Sequence, residues 1–479
     1  MVFLGATTIF LVGRISAPGI RSDGLSRAGR AAAVRLAAAV DLDDRALVLA
    51  ENPGIIPALT EGAKFGGEHL STLVAQNLFS YDPVVTEEIR EKTTVAEVAD
   101  RTWLIRLPIV NVVLFETDDG LVLIDTGMAA AGPVIREVIE DLSDLPLRVI
   151  VYTHYHVDHA YGAWALTDGW GQPVRIIAQE RLPANFDRYR RFSGLMARLM
   201  SQPGDQITKS VSNIVYPTET IRNELVLEMG GEDFIIRHYP GETEDQLFIW
   251  APDRRVLASA DYYQGFLPNA GNGKRVQRHV EEWADALVQM ADLEPAIILP
   301  GHGPAMTDPA TISEELRILA EALKLIVEQV VDGLNSGLRV DEAVETVELP
   351  EGMRGHHALR TVYATPQDIA RMVAMRYTGW WDGLPSSYNP PTASAWAKTV
   401  VTLSGGLETL IEATYEVGES DVAVACRMAD IAWLAAPEDP PVHQLVLDIY
   451  GERISTTAES TQEMLAYLDH MTVVRGAMR

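Results

Sequence analysis

Ten residues, Thr153-His154-Tyr155-His156-Val157-Asp158-His159-Ala160-Tyr161-Gly162, constrain this chain more than any other stretch. Four potential metal ligands fall within six positions there. His154 and His156 are two apart, so in an extended or looped backbone both imidazoles can converge on one ion. Asp158 and His159 follow at once and can reach a second ion close by. Ahead of them lies Leu147-Arg148-Val149-Ile150-Val151-Tyr152, a β-branched run that reads as a buried strand. A helical pattern follows, so the ligands sit where a strand ends, on a rigid support. The competing reading is a surface loop that happens to hold His. With 11 His in 479 residues, chance is a poor source of such a cluster, and the stretch reads as a metal site.

Further carboxylate and imidazole groups lie at or just past the ends of strands. Asp125 closes Leu121-Val122-Leu123-Ile124-Asp125 before Thr126-Gly127, and Glu242 lies in Pro240-Gly241-Glu242-Thr243. Asp261 follows the run Arg255 to Ala260, and His302 stands in Pro300-Gly301-His302-Gly303 after Ala296 to Leu299. Thiolate takes no part, since the only cysteine is Cys426. A single cysteine also excludes an intrachain disulfide. The net charge of −28 argues against nucleic acid and against an anionic membrane surface as partners.

The rest of the chain reads in order. Residues 1–13 are apolar but too short to span a bilayer, and no basic start precedes them. Residues 1–50 are therefore set apart as a leader of undetermined role, and the expected compartment is the cytoplasm. Strands are expected at Trp103–Leu107, Asn111–Glu116 and Leu121–Asp125. The turn Thr117-Asp118-Asp119-Gly120 closes the last two into an antiparallel hairpin. Helical patterns follow at Ala130–Leu142 and Tyr161–Asp168, and further strands at Val174–Ala178, Phe234–Tyr239, Gln246–Trp250 and Arg255–Ala260. Between them, Asp187–Met200 is helical and carries Arg188, Arg190, Arg191 and Arg198. These arginines read equally as a solvated face or as a wall for an anionic substrate beside the metals. After His302 the pattern is helical throughout. Ser313–Leu334 is amphipathic, and helices are expected at 366–380, 394–416, 421–435, 441–452 and 460–472. Gly405-Gly406 should bend or split the second of these.

The His-x-His-x-Asp-His cluster resembles the signature of the metallo-β-lactamase superfamily, with Asp125 in that family's first motif. Tyr377-Thr378-Gly379-Trp380-Trp381-Asp382-Gly383-Leu384-Pro385 is similar to an element of the alkylsulfatase branch. Ala435-Ala436-Pro437-Glu438-Asp439-Pro440, after Gly418-Glu419-Ser420-Asp421, is similar to that branch's helical dimerisation domain. Glu242, where most relatives have His, fits the same branch. The resemblance implies an αββα sandwich over 51–334 and an all-α dimerisation domain over 335–479. It implies two zinc ions per chain, although iron or manganese would also suit imidazole and carboxylate ligands. His154, His156 and Glu242 would hold one ion and Asp158, His159 and His302 the other, with Asp261 bridging. Asp158 and Asp261 are also the groups on which catalysis is expected to rest. Arg190 and Arg191 resemble the family's sulfate-pocket pair, and Asn269 and Arg275 would help bind substrate.

This sequence departs from the family in three places. Pro268 replaces a His before Asn269, Gly273-Lys274-Arg275 only approximates a Thr-Leu-Arg-Gly run, and Asp261 stands where Glu is usual. The chain also ends where many alkylsulfatases continue into a sterol-carrier-like domain, so short and medium alkyl chains are expected to be preferred. The reading is a metal-dependent hydrolase of a small sulfate ester, acting as a homodimer with no stable membrane insertion. The alternatives are hydrolysis of a lactone, thioester, β-lactam or phosphodiester, or a metal-bound binding protein without activity.

Overall fold

The alternation of apolar side chains explains the first part of the molecule. In β3 (Asn111–Thr117), Val112 and Leu114 enter one core while Val113 and Phe115 enter another. In β4 (Gly120–Ile124), Leu121 and Leu123 join the first core, and Val122 and Ile124 the second. Strands buried on both faces read as continuous apolar runs, because each face packs against a further layer. The structure is a computed structural model that describes residues 71–478 other than 201, 203, 457 and 458. The expected leader over residues 1–50 lies outside the described residues.

Seven strands form the first sheet in chain order: β1 (Thr94–Ala99), β2 (Thr102–Arg106), β3, β4, β5 (Leu147–Val151), β6 (Arg175–Gln179) and β7 (Glu219–Ile221). Pairing is antiparallel up to β4 and parallel beyond it. The expected hairpin is present, with Thr117 opposite Gly120. The second sheet runs β12-β11-β10-β9-β8. Its strands are β8 (Glu224–Met229), β9 (Glu232–His238), β10 (Leu247–Ala251), β11 (Val256–Ala260) and β12 (Ile297–Pro300). A shared core of Val113, Phe115, Val122, Val149, Phe234, Ile236, Ile249 and Val256 lies between the sheets.

Helices cover both outer faces. On the first sheet lie α1 (Gly132–Leu142), the single turn α2 (Val157–Ala160) and α3 (Leu182–Arg191), followed by α4 (Ser193–Met200). On the second sheet lie α5 (Val280–Asp292), α6 (Pro309–Asn335) and α7 (Pro366–Thr378). Leu316, Leu319 and Leu323 of α6 are buried against this face, each contributing about 2 kcal/mol. Asp308 caps α6 by accepting from the Thr311 amide, and Thr365 and Asp368 cap α7 reciprocally. This is the αββα sandwich expected from the sequence. Two expected helices differ. Phe192 breaks Asp187–Met200 into α3 and α4, and Tyr161–Asp168 holds only a 3-10 turn at Gly162–Ala165.

The structure divides into two compact units, one spanning Phe65–Trp380 and one containing Trp381–Arg479. The helices between residue 335 and Trp380 therefore belong to the same compact body as the sheets, because α7 packs on α5 and α6. The second unit is all helical: α8 (Ala393–Leu403), α9 (Leu407–Gly418), α10 (Val422–Ala435), α11 (Pro440–Thr456) and α12 (Thr461–Ala477). Gly405 and Gly406, both at positive φ, split the expected 394–416 helix into α8 and α9. Ala425, Ala429 and Ala432 of α10 let Leu445, Val446 and Ile449 of α11 pack closely. Among the described residues no helix is long and apolar enough to cross a membrane.

At the rim away from the ligand loops, one side chain ties both sheets. Arg254, in the β10–β11 turn, pairs with Glu232 at 2.6 Å and donates to the carbonyls of Asp100, Arg101 and Glu116 and to Thr102 Oγ1. Arg254→Ala leaves Glu232 and several carbonyls without this donor. We expect a loss of about 3 kcal/mol of stability, read as a lower urea midpoint at unchanged slope.

Candidate metal centre

The ligand loops begin where the parallel part of the first sheet ends. After β4 the chain turns through Asp125, held in the left-handed region at φ +63°, a strained conformation that surrounding contacts must maintain. Its Oδ1 accepts from the Thr153 amide at 2.7 Å and its Oδ2 from Thr153 Oγ1 at 2.8 Å. Asp125 Oδ2 also lies 2.7 Å from His159 Nδ1, which leaves His159 Nε2 to face the site. Because the Thr153 hydroxyl gives its proton to Asp125, it accepts from His154 Nδ1 at 3.0 Å. The Nε2 of His154 is thereby presented at the opposite end of the ring.

The second sheet supplies the facing residues. Asp261 follows β11 after Ala260, itself at φ +48°. His302 follows β12, and its Nδ1 donates to the Ile109 carbonyl at 2.7 Å. Asn111, at the start of β3, fixes this loop by donating to the carbonyls of Pro300 and Gly303. Gly301 is required by close approach, since a Cβ there would stand 2.3 Å from Asp261 Oδ1.

Two groups result. Ligand atoms of His154, His156, Glu242 and Asp261 lie within 4.8 Å of one another, as do those of Asp158, His159 and His302. Asp261 adjoins both, at 4.0 Å from His154 Nε2, 3.4 Å from His159 Nε2 and 3.2 Å from His302 Nε2. His159 Nε2 and Asp261 Oδ1 are buried without a hydrogen-bond partner, and His156 turns its Nδ1 toward His154 Nε2 at 2.8 Å. Buried polar atoms are otherwise satisfied, so orphaned atoms converging here fit a cation. Glu242 is 3% exposed and belongs to the cluster. Glu244, its neighbour in sequence, instead pairs with Arg181 at the surface.

The remaining expected residues separate. Asn269 donates to Glu242 Oε1 at 2.9 Å and so acts on a member of the first group. Arg190 is exposed and bound to Tyr216 and Asp187, and the exposed Arg191 lies over Phe192. The arginine of α3 nearest the His cluster is Arg188, whose Nη2 donates to Tyr155 Oη at 2.7 Å. The Tyr155 ring in turn contacts the His156 ring. Helical geometry explains this for Arg190, two residues on and facing away from Arg188, while Arg191 ends α3 and lies over Phe192. Arg275 is half-buried and acts electrostatically on Tyr189, which also feels Arg188 and Asp158. Two contributors were not read from the sequence. Thr153 relays Asp125 to His154, and the buried Arg278 pairs with Glu242 at 2.9 Å.

Charge is unevenly shared. Burial, then the His159 charge, holds His154 well below the ordinary imidazole value, and burial with His154 does the same to His156. Burial opposes a charge on His302, but Asp261 and Asp158 outweigh it and raise His302 to about 9. His159 is raised in the same way by Asp261, Asp158 and Asp125 against burial. Burial drives Glu242 up to about 8, with Arg278 pulling down and Asp261 pushing up.

Residues 105–302 match the family model of the metallo-beta-lactamase superfamily, and residues 339–476 that of alkyl sulfatase dimerisation. A linear primary-alkylsulfatase of Pseudomonas sp. (strain ATCC 19151) is 29% identical over 63% of this chain and 62% of its own length. An alkyl/aryl-sulfatase of Saccharomyces cerevisiae is 24% identical over 78% of this chain and 62% of its own. The chain thus spans about three fifths of these curated relatives. A stereoselective inverting sec-alkylsulfatase from Pseudomonas sp. superposes with a TM-score of 0.72 at 18% identity, over 87% of this chain and 70% of that one.

Metal uptake should displace protons. Below about pH 8, His302 and Glu242 hold protons that an entering cation must expel, and the upward shift of His159 adds to them near neutral pH. Affinity is therefore expected to rise as pH climbs from 6 toward 9 and to level off above it. Titration calorimetry with zinc at pH 7, in buffers of different ionisation enthalpy, should show more than one proton released per chain. Uptake with no net release would contradict this charge assignment.

Proposed function

We propose that this chain, a metallo-beta-lactamase superfamily domain joined to an alkyl sulfatase dimerisation domain, is a dinuclear zinc hydrolase of sulfate esters. The observation that carries the reading is the pair of ligand groups meeting at Asp261. His154, His156 and Glu242 would hold one zinc and Asp158, His159 and His302 the other, with Asp261 shared. Imidazole and carboxylate ligands without thiolate suit zinc. When bound, zinc supplies Lewis acidity and a water that ionises near neutral pH.

The chain's own residues do the positioning. Asp125 and Thr153 hold His159 and His154 in the tautomers that face the centre. His154 and His159 are fully buried, so that side of the site excludes bulk water and strengthens its electrostatics. Arg188, bound to Tyr155 beside His156, and Arg275 are the cations this reading assigns to the sulfate, because a guanidinium fork suits its oxygens. Names of the sequence relatives support a sulfate ester over other substrates.

Zinc-loaded protein should turn over hexyl, octyl or dodecyl sulfate, and Arg188→Ala should lower kcat/KM for the sulfate esters by about 100-fold, the value of one charged hydrogen bond. The test measures kcat/KM for these three beside a lactone and a thioester. Efficient lactone or thioester turnover with all sulfates at background would move the assignment to another ester-type bond.

The same reading includes a homodimer. Support comes from the dimerisation-model match and from α8, where Trp396 and Leu403 are 55% and 77% exposed with Val400 between them. Spacings of four and three residues put all three on one stripe. Light scattering should give twice the chain mass at micromolar concentration, and Trp396→Asp should shift it toward the monomer. A wild-type monomer there refutes the dimer.

A further inference from the structure

Glu242 is a flexible side chain asked to hold one position in a dry site, and the structure shows what restrains it. Arg278 is 1% exposed. Its Nη2 donates to Glu242 Oε1 at 2.9 Å and its Nη1 to the Glu242 carbonyl. Asn269 Nδ2 donates to the same Oε1 at 2.9 Å, and the Glu242 amide donates to Gln246 Oε1 at 2.7 Å. The His279 amide donates to the Gly241 carbonyl at 3.0 Å, so both segments are locked together. With Oε1 engaged by two donors, Oε2 is the oxygen left for His154, His156 and Asp261 to share with an ion.

The charge count points the same way. Glu242, Asp261 and Asp158 bring three carboxylates to one small volume. Arg278 is a buried guanidinium that cannot lose its proton, and its ion pair is with Glu242. Its Nε has no partner. Arg254 also pairs with a carboxylate but spreads its other donors over the Asp100, Arg101 and Glu116 carbonyls, whereas both hydrogen bonds of Arg278 go to the one residue Glu242.

We infer that Arg278 is the positioning residue that makes Glu242 serviceable as a metal ligand. It engages the far oxygen and main chain of Glu242 and supplies a permanent positive charge behind it. The inference rests on the two-metal reading above. It extends to Asn269, which acts on the same oxygen.

Arg278→Met removes charge and donors at similar volume, and Arg278→Lys keeps the charge without the fork. Zinc affinity is read on the full chain by chelator competition, beside circular dichroism and kcat and KM separately. R278M should lose about 10- to 100-fold in affinity for one of the two zinc equivalents, leaving the other unchanged. Excess zinc should restore occupancy. R278K and Asn269→Ala should weaken the same equivalent by less. A folded R278M with wild-type affinity for both equivalents overturns the assignment. If R278M does not fold, a folded R278K with both affinities intact does so. Wild-type protein that binds two equivalents yet hydrolyses no sulfate ester refutes the proposed substrate and leaves this role of Arg278 standing.

Discussion

The carboxylate of Asp125 joins the end of β4 to the end of β5 and, through His159, to the turn that follows. Its geometry fixes two imidazoles, one directly and one through the Thr153 hydroxyl. The second sheet must then meet those imidazoles with Asp261 and His302, and the Leu247 amide bonded to the Thr153 carbonyl sets that meeting at 2.8 Å. The main-chain strain at Asp125 and Ala260 is sustained because these hydrogen bonds leave no relaxed alternative.

Much of this arrangement was legible in the sequence where one physical rule dominated. Strand ends mark ligands because a buried strand is rigid and its end is where the chain can turn a side chain inward. The hairpin at Asp118-Asp119 and the break at Gly405-Gly406 followed from turn chemistry. The rule ran out where direction mattered. Arg188, Arg190 and Arg191 are interchangeable in composition, but only Arg188 is turned toward Tyr155. Arg278 stands three residues from Arg275, and spacing alone gave no sign that it would reach Glu242. The expected strand pattern also omitted β1, which is largely exposed, β7, which is only three residues long, and β8, where the exposed Val226 interrupts the apolar alternation.

Electrostatics explains why the site is acidic and still stable. Asp261 lies between His159 and His302, and although burial opposes its charge, those two imidazoles hold it well below the ordinary carboxylate range. Glu242 is held by Arg278 and Asn269, and Asp125 by Thr153 and His159. Each of these buried carboxyl groups thus has its own donors, which oppose the burial that pushes Glu242 and Asp125 up.

The two halves of the centre are far apart along the chain, and that separation has a temporal meaning. About 150 residues lie between His154 and His302, so synthesis at 5–20 residues per second separates their appearance by about 7–30 s. Glu242 and Asp261 emerge within that interval and His302 closes it, so the group of His154, His156, Glu242 and Asp261 is complete along the chain before the group of Asp158, His159 and His302. Asp261, which adjoins both groups, is made about 40 residues before His302, so the group of Asp158 and His159 is the one that waits for β12 to take its place beside β11.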